Sequence, residues 1–283
     1  MTRNDSASWQ PFSDRNAGRP ADARWHEGVP EWLEHPLREW LDSQFVDEGT
    51  RRQVAARLRY VPERGSRYWR ARSLPTVALL EWVDATLDVI SRGESLFDSL
   101  TPMAISEVDA VLEGARSVWR VSSGGNALER RHDQVVTDAV RQAGAAADAA
   151  GRSAAAARLR TAWDAAFRFH PDPSVAYREA VLAVEAAAIP VVVPRQAGAT
   201  LGHVLGQLDR QGQLYRVAIC DRSGVSAPTT AVVQMIRLLW EGHTDRHEGV
   251  TAALPITAES ACMAVTLAVT LVQWFTSGAV QPR

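Results

Sequence analysis

The chain has no lysine: all 31 basic residues among its 283 are arginine. Arginine is therefore the habit of the whole sequence, as a GC-rich coding source would produce, and an arginine-rich stretch counts for less as a binding signal. Cysteine is nearly as scarce. Cys220 and Cys262 are the only two, too few for a disulfide framework, which fits a reducing, cytoplasmic setting. No sign of charge dominates either: the net charge is −2 and the pI about 6.4, so no global basic field draws in nucleic acid. The opening residues, MTRNDSASWQPFSDRN, lack the apolar run of a signal peptide. The longest apolar stretch, residues 261–275, is too short to span a bilayer and reads as a buried core helix, so no membrane partner is expected. Gly65 and Gly124-Gly125 have no phosphate-loop or dinucleotide context and read as turns. No Ser-His-Asp arrangement or paired-carboxylate motif stands out. No cofactor is expected.

What is present is ample apolar material, 46% of residues, in helical register. Trp32, Leu33, Leu37, Trp40, Leu41 and Phe45 recur at spacings of three to four and predict a helix over 31–45. Further helices are expected over 49–60, 75–91 and 104–114. RSVWRVSS (116–123) is β-branched and aromatic and ends at Gly124-Gly125; with a second strand over 127–131 it predicts a small hairpin. The alanine-rich run over 135–166 favours helix. Its second half packs, because Leu159, Trp163 and Phe167 return every four residues. Asp172 and Pro173 mark a capped helix start. VVVP (191–194) reads as an extended connector, with a helix following over 200–210. LYRVAIC (214–220) is either a strand or a last helical turn. Helices over 228–241 and 257–276, the latter capped by Thr257, close the chain. His203 and the ten tryptophans read as structural residues. The expected fold class is mainly α, in two parts divided near residue 150.

The densest chemistry is IRLLWEGHTDRHEG, residues 236–249. Read as surface, Arg237 and Glu241 are an i, i+4 pair worth a few tenths of a kcal/mol, and His243 and His247 follow Gly242 in a solvated loop. Read as metal, His243 and His247 have H-x-x-x-H spacing with Asp245 between. Thr244, however, stands where a zincin needs glutamate, and no third ligand is evident. No metal is expected. Read as catalysis, histidine can act as acid and base near neutral pH, and arginine can take up phosphate charge through its planar donor fork.

WDAAFRFHPDPSVAYREAVLAVEAAAIPVVVP, then ATLGHVLGQL, then LLWEGHTDRHEG and a terminal apolar helix together resemble the C-terminal domain of bacterial abortive-infection proteins. Those belong to the broad HEPN superfamily of α-helical domains. The match runs over roughly residues 155–278; PFSDRN and VPEWLEHPLREWL look like the N-terminal domain often fused to it. The resemblance implies a HEPN-like helical bundle over 151–283, preceded over 1–150 by a mostly helical domain with a small β-hairpin that senses or positions nucleic acid. It further implies phage defence or a toxin-like role, metal-independent RNA cleavage, a homodimer, and an antitoxin or phage-derived trigger. HEPN nucleases generally have four to six residues between the arginine and the histidine, and Arg237 and His243 have five between them. The abortive-infection relatives align their Arg-His pair onto Arg246 and His247. Both registers stay open, with Arg246 and His247 preferred and Glu241 or Asp245 orienting a histidine. Glu248 departs from the pattern: an acid beside His247 repels a phosphate where a small residue would leave room. The alternative is a non-catalytic interaction or ligand-binding module.

In the first part, RRQVAARLRYVPERGSRYWRAR (51–72) holds eight arginines against Glu63 alone. Arg51, Arg52, Arg59, Arg67, Tyr68, Trp69 and Arg70 make the combination of cations and stacking rings that a single-stranded nucleic acid would use. The competing reading is a solvated helix face.

Overall fold

The computed structural model describes residues 24–61, 70–92, 101–220, 222–242 and 255–283, with 16 and 18 singly. The chain is mainly helical and divides into two compact units, Met1–Arg131 and His132–Arg283.

In the first unit, α1 (Glu31–Gln44) buries Leu33, Leu37, Trp40 and Leu41, the stripe its periodicity predicts. α2 (Glu48–Arg57) starts at Asp47, whose carboxylate accepts the Gly49 and Thr50 amides. α3 (Leu79–Ile90) is apolar almost all round and is the core helix, packed by α1 and α2. α4 (Thr101–Gly114) lies against α1, and its Ala104 carbonyl accepts the Trp40 indole N–H at 2.8 Å. The expected hairpin forms: β1 (Trp119–Val121) pairs antiparallel with β2 (Leu128–Arg130). Two carboxylates tie it down, Asp84 accepting the Leu128 N–H at 2.6 Å and Asp109 the Val121 N–H at 2.8 Å. The turn passes through Gly125 at φ +71°, where a side chain would be strained and would press on Ile105.

The second unit begins with α5 (Gln134–Ala149) and α6 (Ser153–Phe167). The sequence places the division near 150, but α5 packs against α6 and the last helix of this unit. Its buried residues are Ala143, Gly144 and Ala147, so it contributes only small groups and needs partners to bury them. The central α7 (Pro173–Val192) has Pro173 at its first turn and Asp172 as cap, as read from the sequence. It runs through Val192, so the first two residues of the extended connector expected at 191–194 belong to the helix instead. Val192 is buried, and its carbonyl accepts the Tyr215 hydroxyl at 3.1 Å; a tertiary partner thus favours helix over the local β-branched preference. Then come α8 (Leu201–Gln211), β3 (Tyr215–Val217), α9 (Thr230–Glu241), α10 (Ala258–Thr276) and β4 (Val280–Pro282). LYRVAIC resolves as strand, because β3 pairs with β4.

α7 is packed by α6, α8 and α10. Ala176, Ala180, Ala183, Ala187 and Ala188 on α7 and Ala155, Ala156 and Ala162 on α6 are wholly buried. The alanine-rich composition is thus an adaptation to close helix approach. α10 is long and apolar enough to cross a membrane by length and composition, yet one face is core, with Val265, Ala268, Leu271 and Val272 sealed in. Thr257 caps it by accepting the Ser260 amide.

Candidate functional site

Of the six residues proposed for catalysis, Arg237 and Glu241 are described. His243, Asp245, Arg246 and His247 lie outside the described residues. Arg237 projects from the last turns of α9 and donates to Asp209 of α8 at 2.7 Å, with Glu241 further away at 3.9 Å. Its main partner is therefore a carboxylate on another helix, which the i, i+4 reading missed because Asp209 is 28 residues away.

The described end of α9 is held by residues from the other segments that carry the resemblance. On α7, Tyr177 is buried, and its hydroxyl donates to the Leu239 carbonyl of α9 at 3.1 Å. Burial pushes this phenol above its ordinary pKa, so it remains a donor at neutral pH. Two residues past it, Glu179 is also buried and accepts from Arg158 of α6 at 2.7 Å. Further along α7, Glu185 accepts the Leu201 amide at 2.7 Å. An acid at the N-terminus of α8 satisfies an orphan donor and complements the helix dipole. At the same place Thr200 caps α8 while His203 Nδ1 accepts the Thr200 amide at 3.1 Å. His203 thus serves helix capping, in keeping with a structural reading. Just before it, Gly202 lies against the α9 indole of Trp240: a Cβ there would meet the ring at 3.0 Å.

Tyr177, Glu185, Gly202 and Trp240 were not singled out by sequence reasoning, although all four lie inside the motifs that were quoted. The motifs showed their order; nothing local shows that residues about 60 apart in the chain touch.

Beside this junction the second unit has an open groove of about 870 Å³ lined by His132, Phe167, Tyr177, Leu238, Met263 and Leu267, among others. None of its described lining residues is an arginine or an acid. The His132 ring stands edge-on to Phe167 at 4.4 Å and to Trp163 at 5.0 Å. Leu238 and Met263 are about two-thirds exposed, at 66% and 65%. The signal for this surface is that α10 carries no charge after Glu259, which the sequence reading assigned wholly to core.

In the first unit, Arg67, Tyr68 and Trp69 lie outside the described residues. Among the rest of the arginine-rich segment, Arg51 is buried and faces Glu48 at 3.9 Å, Arg52 pairs with Glu48 at 2.5 Å, and Arg57 pairs with Asp88. Arg59 and Arg70 are exposed. The acids that balance this segment come mostly from outside it. Among the described residues elsewhere in this unit, the indoles of Trp25 and Trp32 are exposed, so the tryptophans are not uniformly core. The Arg116 and Arg131 guanidiniums lie 6.0 and 5.8 Å from the Trp25 ring centre.

Among the described residues, no three His, Cys, Asp or Glu side chains are grouped as a metal site would require. In comparisons with known proteins, the chain matches no family model, no curated protein and no solved structure.

Proposed function

We propose that the protein is a phage-defence or toxin-like effector of the cytoplasm whose second unit, a HEPN-like abortive-infection domain, cleaves RNA without a metal. In this reading the enzyme is a homodimer held in check by an antitoxin or released by a phage-derived trigger. His247 serves as acid and base, taking the 2′-hydroxyl proton and protonating the leaving oxygen, while Arg246 neutralises the developing phosphorane charge. His243, Asp245, Arg237 and Glu241 are its supporting groups.

The observation that favours this reading is the junction at the end of α9. The three stretches that carry the resemblance are separate in sequence, yet they meet there through Tyr177 and Leu239, Glu185 and Leu201, and Gly202 and Trp240. Residues that recur together in a motif and also brace one another are what a preorganised site requires. The junction leads directly into residues 243–247.

The test compares wild type with His247→Ala and His243→Ala on total cellular RNA in EDTA. Wild type is expected to cleave, and His247→Ala to lose at least about 100-fold, the usual worth of a general acid or base. Cleavage that persists in both variants would refute the site, and cleavage abolished by EDTA would favour the metal reading instead.

One observation favours a second reading, a non-catalytic ligand-binding or interaction module: the uncharged groove between α9 and α10 has the size and apolar lining of a small-molecule site. A wild type inert towards RNA, with an apolar fluorescent probe that binds and is displaced by Leu238→Glu or Met263→Glu, would select that reading.

A further inference from the structure

Gly242 ends α9 with φ −71°, a helical value open to any residue, so the glycine is not there for backbone freedom. Space requires it. A Cβ at this position would fall inside van der Waals contact of the Tyr177 hydroxyl and would sit 3.2 Å from both the Tyr177 ring and the Leu238 carbonyl. The same hydroxyl donates to Leu239 at 3.1 Å, and the Gly242 amide closes the helix on Leu238 at 3.3 Å. One phenol therefore ties a carbonyl of the last turn and occupies the space where the next residue's side chain would stand. Phenylalanine would fill nearly the same volume without either interaction of the oxygen. Gly242 is followed at once by His243, and four residues later by His247. Its place is the origin of the chain that carries both histidines.

We infer that Tyr177 is a positioning residue for RNA cleavage: its hydroxyl and the bare Cα of Gly242 form a clasp that sets where α9 ends and from where the Arg-His segment departs. The inference rests on the cleavage reading above. Misplacement of a reacting group by about 1 Å can cost on the order of 100-fold in rate, so a clasp of this kind acts on turnover more than on substrate affinity.

The experiment measures kcat and KM for RNA cleavage, together with thermal melting, for full-length wild type, Tyr177→Phe, Gly242→Ala and the double variant. Tyr177→Phe is expected to lower kcat about tenfold with KM unchanged and melting nearly kept. Gly242→Ala is expected to lower kcat at least as much. In the double variant the missing oxygen makes room for the methyl group, so activity should recover relative to Gly242→Ala alone. Equal kcat in wild type and Tyr177→Phe would overturn the clasp, as would losses that multiply in the double variant. A wild type that cleaves nothing would instead bring down the cleavage reading, and the positioning role with it. An active wild type with unaffected variants would remove only the clasp. Should Gly242→Ala fail to fold, Tyr177→Phe alone decides the matter through its kcat.

Discussion

Two helices of the first unit end on an arginine in left-handed backbone. Arg59 has φ +51° and Arg116 φ +54°, and around each the amides fold back as in a Schellman ending. Tyr60 donates to Ala55 and Arg59 to Ala56; Ser117 donates to Leu112 and Arg116 to Glu113. The same ending after α5 uses Gly151 at φ +71°, the residue that adopts this conformation without steric cost. Arg59→Gly should therefore raise stability by about 1 kcal/mol, seen as a higher urea midpoint. If Arg59 also contacts RNA, the same variant should bind single-stranded RNA more weakly, so one substitution separates stability from binding. Asp47 has the opposite character. The Thr50 hydroxyl bond holds its carboxyl below the ordinary 3.8; burial opposes this, and the Gly49 and Thr50 amides add to the lowering. A depressed folded pKa stabilises above the ordinary value, and the gain is lost as pH falls through the folded one. Asp47→Ala should cost about 1 kcal/mol at pH 7, and chemical melts should show that deficit shrinking below about pH 4.

Between elements, the second unit relies on a few long polar side chains to close an alanine-rich core. Arg152, in the turn before α6, donates to the Ala187 carbonyl of α7 at 2.9 Å and the Phe275 carbonyl of α10 at 2.6 Å. Hydrogen bonds from a charged donor are worth about 1.5–3 kcal/mol each. Arg152→Met keeps most of the aliphatic stem and removes both bonds, so it should lower stability by about 3 kcal/mol or more, read from thermal or urea melts. The Arg158–Glu179 pair works differently, because its acid is buried and its arginine half-exposed. Glu179 also has Arg178 at 3.4 Å. Arg158→Ala should accordingly destabilise more than Arg178→Ala, since only the first removes the 2.7 Å donor to a buried acid.

At the scale of the molecule, the boundary after Arg131 makes α5 part of the second unit. α5 and α10 pack together, and α5 also covers α6. A fragment spanning His132–Arg283 should give a helical spectrum and a cooperative melt by itself. One beginning at residue 151 should not, because it exposes the faces that Ala143 and Ala147 cover. A cooperative melt for the shorter fragment would show that α5 is dispensable to that core. For α10 the outcome is mixed in an informative way. Its apolar composition is only partly used by its own core, and the remainder lines the groove with Met263 and Leu267.

By itself the sequence determined whatever depends on neighbours a few residues away. The periodicity at 31–45, the caps at Asp172 and Thr257, the β1–β2 hairpin and the mainly helical class all follow from backbone hydrogen bonding, rotamer preference and side-chain spacing along one element. Only the tertiary structure decided the rest. It carried helix through Val192 against a β-branched run, sent Arg237 to Asp209, buried Arg51 within a segment that reads as a cationic surface, and drew the domain line before α5. It also explained Gly242, which backbone conformation leaves free to be any residue and which the Tyr177 hydroxyl does not. The reason is the same in each case: these outcomes are contacts between distant residues, set by which helices meet and how closely, and no spacing within a single element encodes them.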